Sequence, residues 1–409
     1  MSSIFVKQVV RNAEAVYRPI APPDDPHPTR GRWANNGLAE YREAFGEADY
    51  AKYSLNDVPF PMPADTPAER RNLWWQTRKA QALFGFKALA TGRRATHTYG
   101  VGARGTVTIV ARPEFPDHEF FAPGKVFPCR IRHANASYKD DACCQVRACS
   151  IKFADAECDS PLDIVMNTGV IQAFWNFDTF MRFAFARVKT NEHSWDSQRE
   201  WMRLLPGGLI GSIESLRIAP RSYAEMLYHS GIVYPFRARD GRMRYAKYRL
   251  VPHGLEQESG FMPPERQRLS WVQSRTPGDD RPIQYLAEEY RSRLSRGPVE
   301  YALQIQLREF DPSRDTHEFF NSARVWSASV YPWLDLATVR VNEPLPDAVM
   351  ERMKMRLGHQ PPSLGLTDAY SAQDYRSLAW VRYRVYPVSQ ANRWLLRTLG
   401  YQRKLPGDF

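Results

Sequence analysis

The segment Arg94-Ala95-Thr96-His97-Thr98-Tyr99-Gly100-Val101-Gly102-Ala103-Arg104-Gly105 sets one histidine ahead of three closely spaced glycines. Glycine permits tight turns and lets a flat ligand approach the backbone closely. On its own the pattern is weak, because a histidine beside a glycine-rich turn is more often a satisfied structural residue. It is no dinucleotide fingerprint either, since that needs a strand before it and a helix after it. Here the glycines lead into the β-like run Thr106 to Ala111. Arg382 and Tyr386 sit one helical turn apart, a spacing that more often marks a surface pair than a metal site. The cysteines Cys129, Cys143, Cys144, Cys149 and Cys158 are odd in number and lack the paired spacing of a zinc site. They read as reduced, mostly buried thiols of a cytoplasmic protein.

These residues need elements to position them. Residues 1–90 read as an irregular N-terminal arm, with proline-rich stretches at Pro19 to Pro28 and Pro59 to Pro67 and helix-like segments at Leu38 to Glu47 and Ala68 to Leu89. Residues 91–409 read as one barrel domain. Short β-rich runs occur at Thr106 to Ala111, Val126 to His133, Gln145 to Phe153 and Asp163 to Asn167. A mostly helical insertion is expected over about 172–228. Strands resume at Gly231 to Arg237, Met243 to Val251, Tyr301 to Phe310 and Ala337 to Asn342. Eight strands suffice to close an antiparallel β-barrel and remove its exposed edges, so the expected class is α+β. The chain then turns helical and ends in a helix over about 371–399.

Composition narrows the function. With 409 residues the chain can bury a cofactor-sized cavity. Its 11 Trp, 20 Tyr and 21 Phe suit a pocket for a planar ligand, and an ordinary core equally well. A net charge of +11 attracts anions, yet the cations are scattered and no zinc-finger, RNP or helix-turn-helix pattern directs a nucleic acid. No run approaches the roughly 20 apolar residues of a membrane span, and Lys7, Arg11, Glu14 and Arg18 break the N-terminal stretch, which does not read as a signal peptide. Peripheral contact with anionic lipid, and attraction of fatty carboxylates, stay open.

Around His97 the chain resembles the catalase superfamily. Arg94, His97, Gly100, Gly102, Ala103 and Gly105 fit its distal-histidine motif. Asp163-Ile164-Val165-Met166-Asn167-Thr168 is similar to the strand end that carries the distal asparagine, and Phe180 follows at the spacing of the haem-stacking phenylalanine. Arg382-Tyr383-Arg384-Val385-Tyr386 fits the family's Arg-x-x-x-Tyr, with Arg393 at the offset of a propionate-binding arginine. The resemblance runs from about Arg94 to Arg393. It implies a haem b cofactor whose iron is held by Tyr386, with Arg382 keeping the phenolate charged, His97 and Asn167 on the distal side, and Arg94, Arg132 and Arg393 on the propionates.

Thr96 stands where catalases carry a valine, Ala134 lies near the place of a serine that supports the histidine, and Gln172 and Ala173 replace two phenylalanines. A threonine before the distal histidine resembles the allene oxide synthase and hydroperoxide lyase branch. That branch implies homolytic O–O cleavage of polyunsaturated fatty-acid hydroperoxides, with Thr96 restraining His97. In that branch the alkoxyl radical closes to an epoxide, is oxidised by the haem iron to a carbocation and loses a proton to give an allene oxide, or rearranges with carbon–carbon cleavage. A lipoxygenase partner supplying the hydroperoxide, and a homo-oligomer, are compatible with this reading. A small catalase or haem peroxidase consuming hydrogen peroxide keeps the same ligands. A non-catalytic haem- or lipid-binding barrel needs Tyr386 and the arginines without both His97 and Asn167.

Overall fold

The computed structural model describes residue 8 and residues 62–136, 138–170, 172, 174–181, 215–261, 275–322 and 324–401. Most of the expected arm, its helix at Leu38 to Glu47 and the middle of the expected insertion lie outside the described residues.

Helix α1 (Pro67–Thr91) starts where the Thr66 hydroxyl accepts from the Glu69 N–H at 3.2 Å and proline occupies the first turn. It stops at Gly92, whose φ of +64° lets its N–H reach back to the Ala88 carbonyl. The strands follow: β1 (Gly100–Ile109), β2 (Val126–Asn135), β3 (Gln145–Lys152), β4 (Asp163–Asn167), β5 (Leu216–Arg217), β6 (Tyr228–His229), β7 (Tyr234–Arg237), β8 (Met243–Pro252), β9 (Val299–Arg308) and β10 (Trp333–Pro344). Helix α2 (Tyr285–Arg296) precedes β9, and α3 (Asp347–Arg352) and α4 (Ser377–Thr398) follow β10.

Pairing runs β1–β2–β3–β4–β6–β8–β9–β10 and returns to β1, every step antiparallel. The eight-stranded barrel is therefore closed, as the strand count predicts. Val101, Ile131, Ile151, Leu303, Ile305 and Val339 are among the buried residues that form one core cluster, each contributing about 1.5–3 kcal/mol by leaving water.

Three expectations change. The glycine run does not precede β1 but lies within it. A Cβ at Gly100 would fall 2.0 Å from the His133 carbonyl, and one at Gly105 2.0 Å from that of Arg340, so these glycines let neighbouring backbones close up. The strand expected at Gly231 to Arg237 is β7, which pairs with β8 off the barrel circuit. The barrel place belongs to β6, which runs along the same β8; Gly231, at φ +61°, lies in the interval between β6 and β7. Residues 216–228, expected as helical insertion, hold β5, a single 3-10 turn at Tyr223–Glu225 and the first residue of β6.

One buried knot ties the segment before α4 to the barrel. Lys152 and Asp163 face each other across β3 and β4, fully buried, with Nζ 3.0 and 3.1 Å from the two carboxylate oxygens. The same carboxylate accepts from the Arg356 N–H and contacts His359 Nδ1, both at 2.9 Å. Removing one partner of a buried ion pair costs about 3–5 kcal/mol, because the other charge stays in the interior. Asp163→Ala should lose stability of that order in urea unfolding, and Lys152→Met should recover most of it. A loss below about 1 kcal/mol would dismiss the knot as an anchor.

Candidate active site

His97 sits between α1 and β1 in a left-handed backbone conformation, φ +54°, shared among the described non-glycine residues only by Ala219. Such a conformation persists where the surroundings over-determine it. Its N–H donates to the Ala136 carbonyl at 3.0 Å, and its carbonyl accepts from Arg132 at 2.8 Å. Burial, then the charges of Arg132, Arg382 and Arg94, push the imidazole down to about 3. The ring is therefore neutral at physiological pH, and its Nδ1 is buried with no hydrogen-bond partner.

Asn167 closes β4, paired with Ala148 on one side and His229 on the other. Its Oδ1 is likewise buried without a partner. Two unsatisfied polar atoms in a native interior call for an occupant or a function.

Tyr386 lies midway along α4. Its hydroxyl accepts from Arg382 Nε at 2.9 Å, one turn earlier, so the expected pair is formed and partly buried. Burial works against the Arg382 charge, yet the facing oxygens of Tyr386 and Tyr234 hold its pKa above the usual value. Tyr234 has a buried hydroxyl with no partner, and burial pushes it well up. Pro387, next to Tyr386, removes a helical N–H.

Arg94, Arg132 and Arg393 converge, as expected, but on a residue the sequence reading missed. Arg94 Nη1 meets the Glu351 carboxylate at 2.7 Å, with Arg132 at 4.0 Å and Arg397 at 3.9 Å. Arg393 donates to the Glu351 carbonyl at 3.3 Å. Burial alone would raise the Glu351 carboxyl, but the four guanidinium charges bring it below the usual range. Burial, then the charge of Arg94, lowers Arg132 to about 9. One carboxylate against four guanidiniums leaves a surplus of positive charge, and Arg393 Nε is buried without a partner. The cluster thus has capacity for further anionic groups. A glutamate in the short helix α3 carried no signal that set it apart from surface acids.

Phe180 packs by its ring against Phe84 at 6.1 Å and edge-on to Phe174 at 5.2 Å, beside the cluster that joins α1 and α4. Gln172 bonds through its N–H to the Ser322 carbonyl at 3.2 Å, and its amide occupies the space where a Cβ on Gly231 would lie, 2.2 Å from Nε2. Ala173 lies outside the described residues. Thr96 is exposed and makes no hydrogen bond among the described residues, so the expected bond to His97 is not formed here. Thr98 instead donates to the Arg94 carbonyl at 2.9 Å.

No protein-family model matches the chain. Solved structures similar to it are catalases: a fungal catalase with TM-score 0.59 and 18% identity over 74% of this chain and 59% of that one, and catalase A from Saccharomyces cerevisiae with 0.59 and 17% over 74% and 61%. In sequence, the chain is 40% identical over 368 residues to the allene oxide synthase-lipoxygenase protein of Plexaura homomalla, covering 89% of this chain and 34% of that protein. It is 30% identical over 310 residues to the linolenate 9R-lipoxygenase of a Nostoc strain, covering 73% and 38%. The chain thus spans about a third of the length of these two curated relatives. Closed barrel and structural neighbours give the chain the catalase fold, and its sequence resembles the catalase superfamily. Within that superfamily it resembles the catalase-related allene oxide synthase branch.

Glu351→Ala should destabilise the protein by about 3–5 kcal/mol in urea unfolding, since it strands buried guanidiniums, and added sulfate should restore part of the loss. A variant as stable as the parent, with no response to sulfate, would mean the arginines balance their charge elsewhere.

Proposed function

We propose that the chain is a haem enzyme that converts polyunsaturated fatty-acid hydroperoxides, by allene oxide synthase-like dehydration or by lyase chemistry. One observation carries the reading: Arg382 bonds the Tyr386 hydroxyl at 2.9 Å and also lies close enough to His97 for its charge to act on the imidazole. The tyrosine that would ligate the iron and a neutral distal imidazole thus share one guanidinium. The surplus of buried arginine charge fits the two propionates of haem b, and the unpartnered His97 Nδ1 and Asn167 Oδ1 fit a polar distal side. The relatives named as allene oxide synthase-lipoxygenase and linolenate lipoxygenase support a lipid hydroperoxide as substrate, with a lipoxygenase as its source.

Haem iron, when bound, supplies one-electron chemistry at the O–O bond. The chain does the rest. Arg382 donates a hydrogen bond to the Tyr386 oxygen that would ligate the iron. Arg94, Arg132 and Arg393 fix the propionate edge, and Phe180 packs near the ring. His97, neutral at working pH, and the Asn167 amide orient the hydroperoxide oxygens by hydrogen bonds. Gln172, in place of a bulkier ring, leaves room for a chain-bearing substrate.

A second reading, a small catalase or peroxidase, draws on the catalase fold and on a catalase-related peroxidase from Mycolicibacterium paratuberculosis, 26% identical over 239 residues. Haem-loaded protein should consume the conjugated diene of a linoleate- or linolenate-derived hydroperoxide rapidly while releasing little oxygen from hydrogen peroxide. Vigorous oxygen release with an inert lipid hydroperoxide would reverse the order of the two readings.

Tyr386→Phe should lose haem or change its spectrum markedly; normal haem content with an unaltered Soret band would sink the ligand assignment. His97 Nδ1 is buried without a partner and Thr96 is its exposed chain neighbour, so a bond between the two is the restraint proposed for the loaded enzyme. Thr96→Val should accordingly raise hydrogen peroxide dismutation, and no gain would mean that the distal geometry is set by other residues.

A further inference from the structure

Helices α1 and α4 pack side by side and run parallel. Gln81 donates to the Arg384 carbonyl at 3.0 Å, and Asn392, one to two turns further on, donates to the Gly85 carbonyl at 2.9 Å. Gly85 is the close-contact point, where a Cβ would sit 3.2 Å from Val388 and 3.1 Å from the Asn392 amide.

The outward faces of this pair are unusual. Six of the eleven exposed large hydrophobic residues described lie on them: Trp74, Trp75, Phe86, Tyr383, Trp394 and Leu395, between 44% and 57% exposed. At 3.6 residues per turn, Trp75, Ala82 and Phe86 form one exposed stripe on α1 together with Arg71 and Lys79. On α4 the exposed stripe is Pro387, Ala391, Trp394 and Leu395. Viewed along both helices, the α1 stripe lies on the side of increasing angle from the contact line through Gln81 and Gly85. The α4 stripe lies on the side of decreasing angle from Arg384, Val388 and Asn392. For parallel helices whose contact lines face each other, those two directions are the same outer side. The stripes therefore make one continuous apolar platform.

Its charge is one-sided. The α1 sequence has five cations and a single carboxylate, Glu69, and the α4 sequence has four cations and no acid. Arg382 and Arg393 face the site, while Arg71 and Lys79 are exposed on the platform itself and have no carboxylate partner among the described residues. Arg78 lies over the Trp74 ring at 5.0 Å. Exposed tryptophan and phenylalanine interleaved with Lys and Arg, without acids, is the composition of a surface that rests in a lipid headgroup layer. A second copy of the chain fits poorly, because a two-fold contact would set this basic patch against itself.

We propose that the outer face of α1 and α4 docks the protein onto an anionic lipid surface, with Trp75, Phe86, Trp394 and Leu395 entering the interface and Arg71 and Lys79 meeting the headgroups. Tyr386 lies on the same helix that carries half of the platform, so docking brings the candidate site to a lipid reservoir. The surface is argued from the two helices alone. Only its purpose rests on the hydroperoxide reading.

The test is flotation of the haem-loaded full chain with vesicles of phosphatidylcholine alone and of phosphatidylcholine mixed with phosphatidylserine. Binding should require the anionic lipid, weaken with salt, and fall by about tenfold or more in Trp75→Ser/Trp394→Ser. The Soret band should stay unchanged in that variant. Arg71→Glu/Lys79→Glu should weaken binding without touching either tryptophan. No binding to the mixed vesicles at low salt would overturn the proposal, as would equal binding by the double-serine variant. A concentration-dependent dimer that the same substitutions abolish would assign the platform to a second copy instead. None of these outcomes depends on hydroperoxide turnover, so the two readings fail separately.

Discussion

Gathering like charges in a protein interior is costly, and the site exists only because that cost is met locally. Arg94, Arg132, Arg393 and Arg397 crowd around Glu351, and guanidiniums stay charged where a lysine would lose its proton. One carboxylate can hold such a cluster together without satisfying it. The site therefore has room for acidic groups, and the charges of Arg132 and Arg94 add to the burial that keeps the His97 imidazole neutral. The neutral imidazole and the unbalanced guanidiniums thus share two of their arginines.

The barrel is the frame that makes this placement possible. Arg132 comes from β2, Arg94 from the link between α1 and β1, Glu351 from α3 just after β10, and Arg393 from α4. Closing β10 onto β1 brings the two ends of the strand sequence together, so residues more than 250 positions apart meet within hydrogen-bond distance. The Lys152–Asp163 knot then holds the loop before α4 in register with the barrel wall.

Much of this was legible in the sequence, for identifiable reasons. The strands of β2, β3, β8 and β9 announce themselves through β-branched and aromatic runs, and their number implied closure. Arg382 and Tyr386 were singled out by the catalase-like Arg-x-x-x-Tyr, and their helical spacing accounts for the contact between them. What escaped was set by tertiary contact. Glu351 looks like any acid on a short helix until four arginines surround it. The left-handed backbone of His97 leaves no trace in residue type, and the glycines of β1 read as a turn although they serve strand-to-strand approach. The division at Gly231 was hidden because β6 and β7 follow the same neighbour, and β6 is too short to show a period.

The clasp between α1 and α4 sets a boundary for the folded unit. Gln81 and Asn392 each spend a side-chain amide on the other helix's backbone, and they do so around a helix that Pro387 has deprived of one of its own hydrogen bonds. Helix α1 is in effect a splint for the segment that carries Tyr386. The barrel by itself is thus not the smallest competent piece of this chain: a shortened form that keeps the tyrosine in place has to begin before Thr66, where the splint is capped.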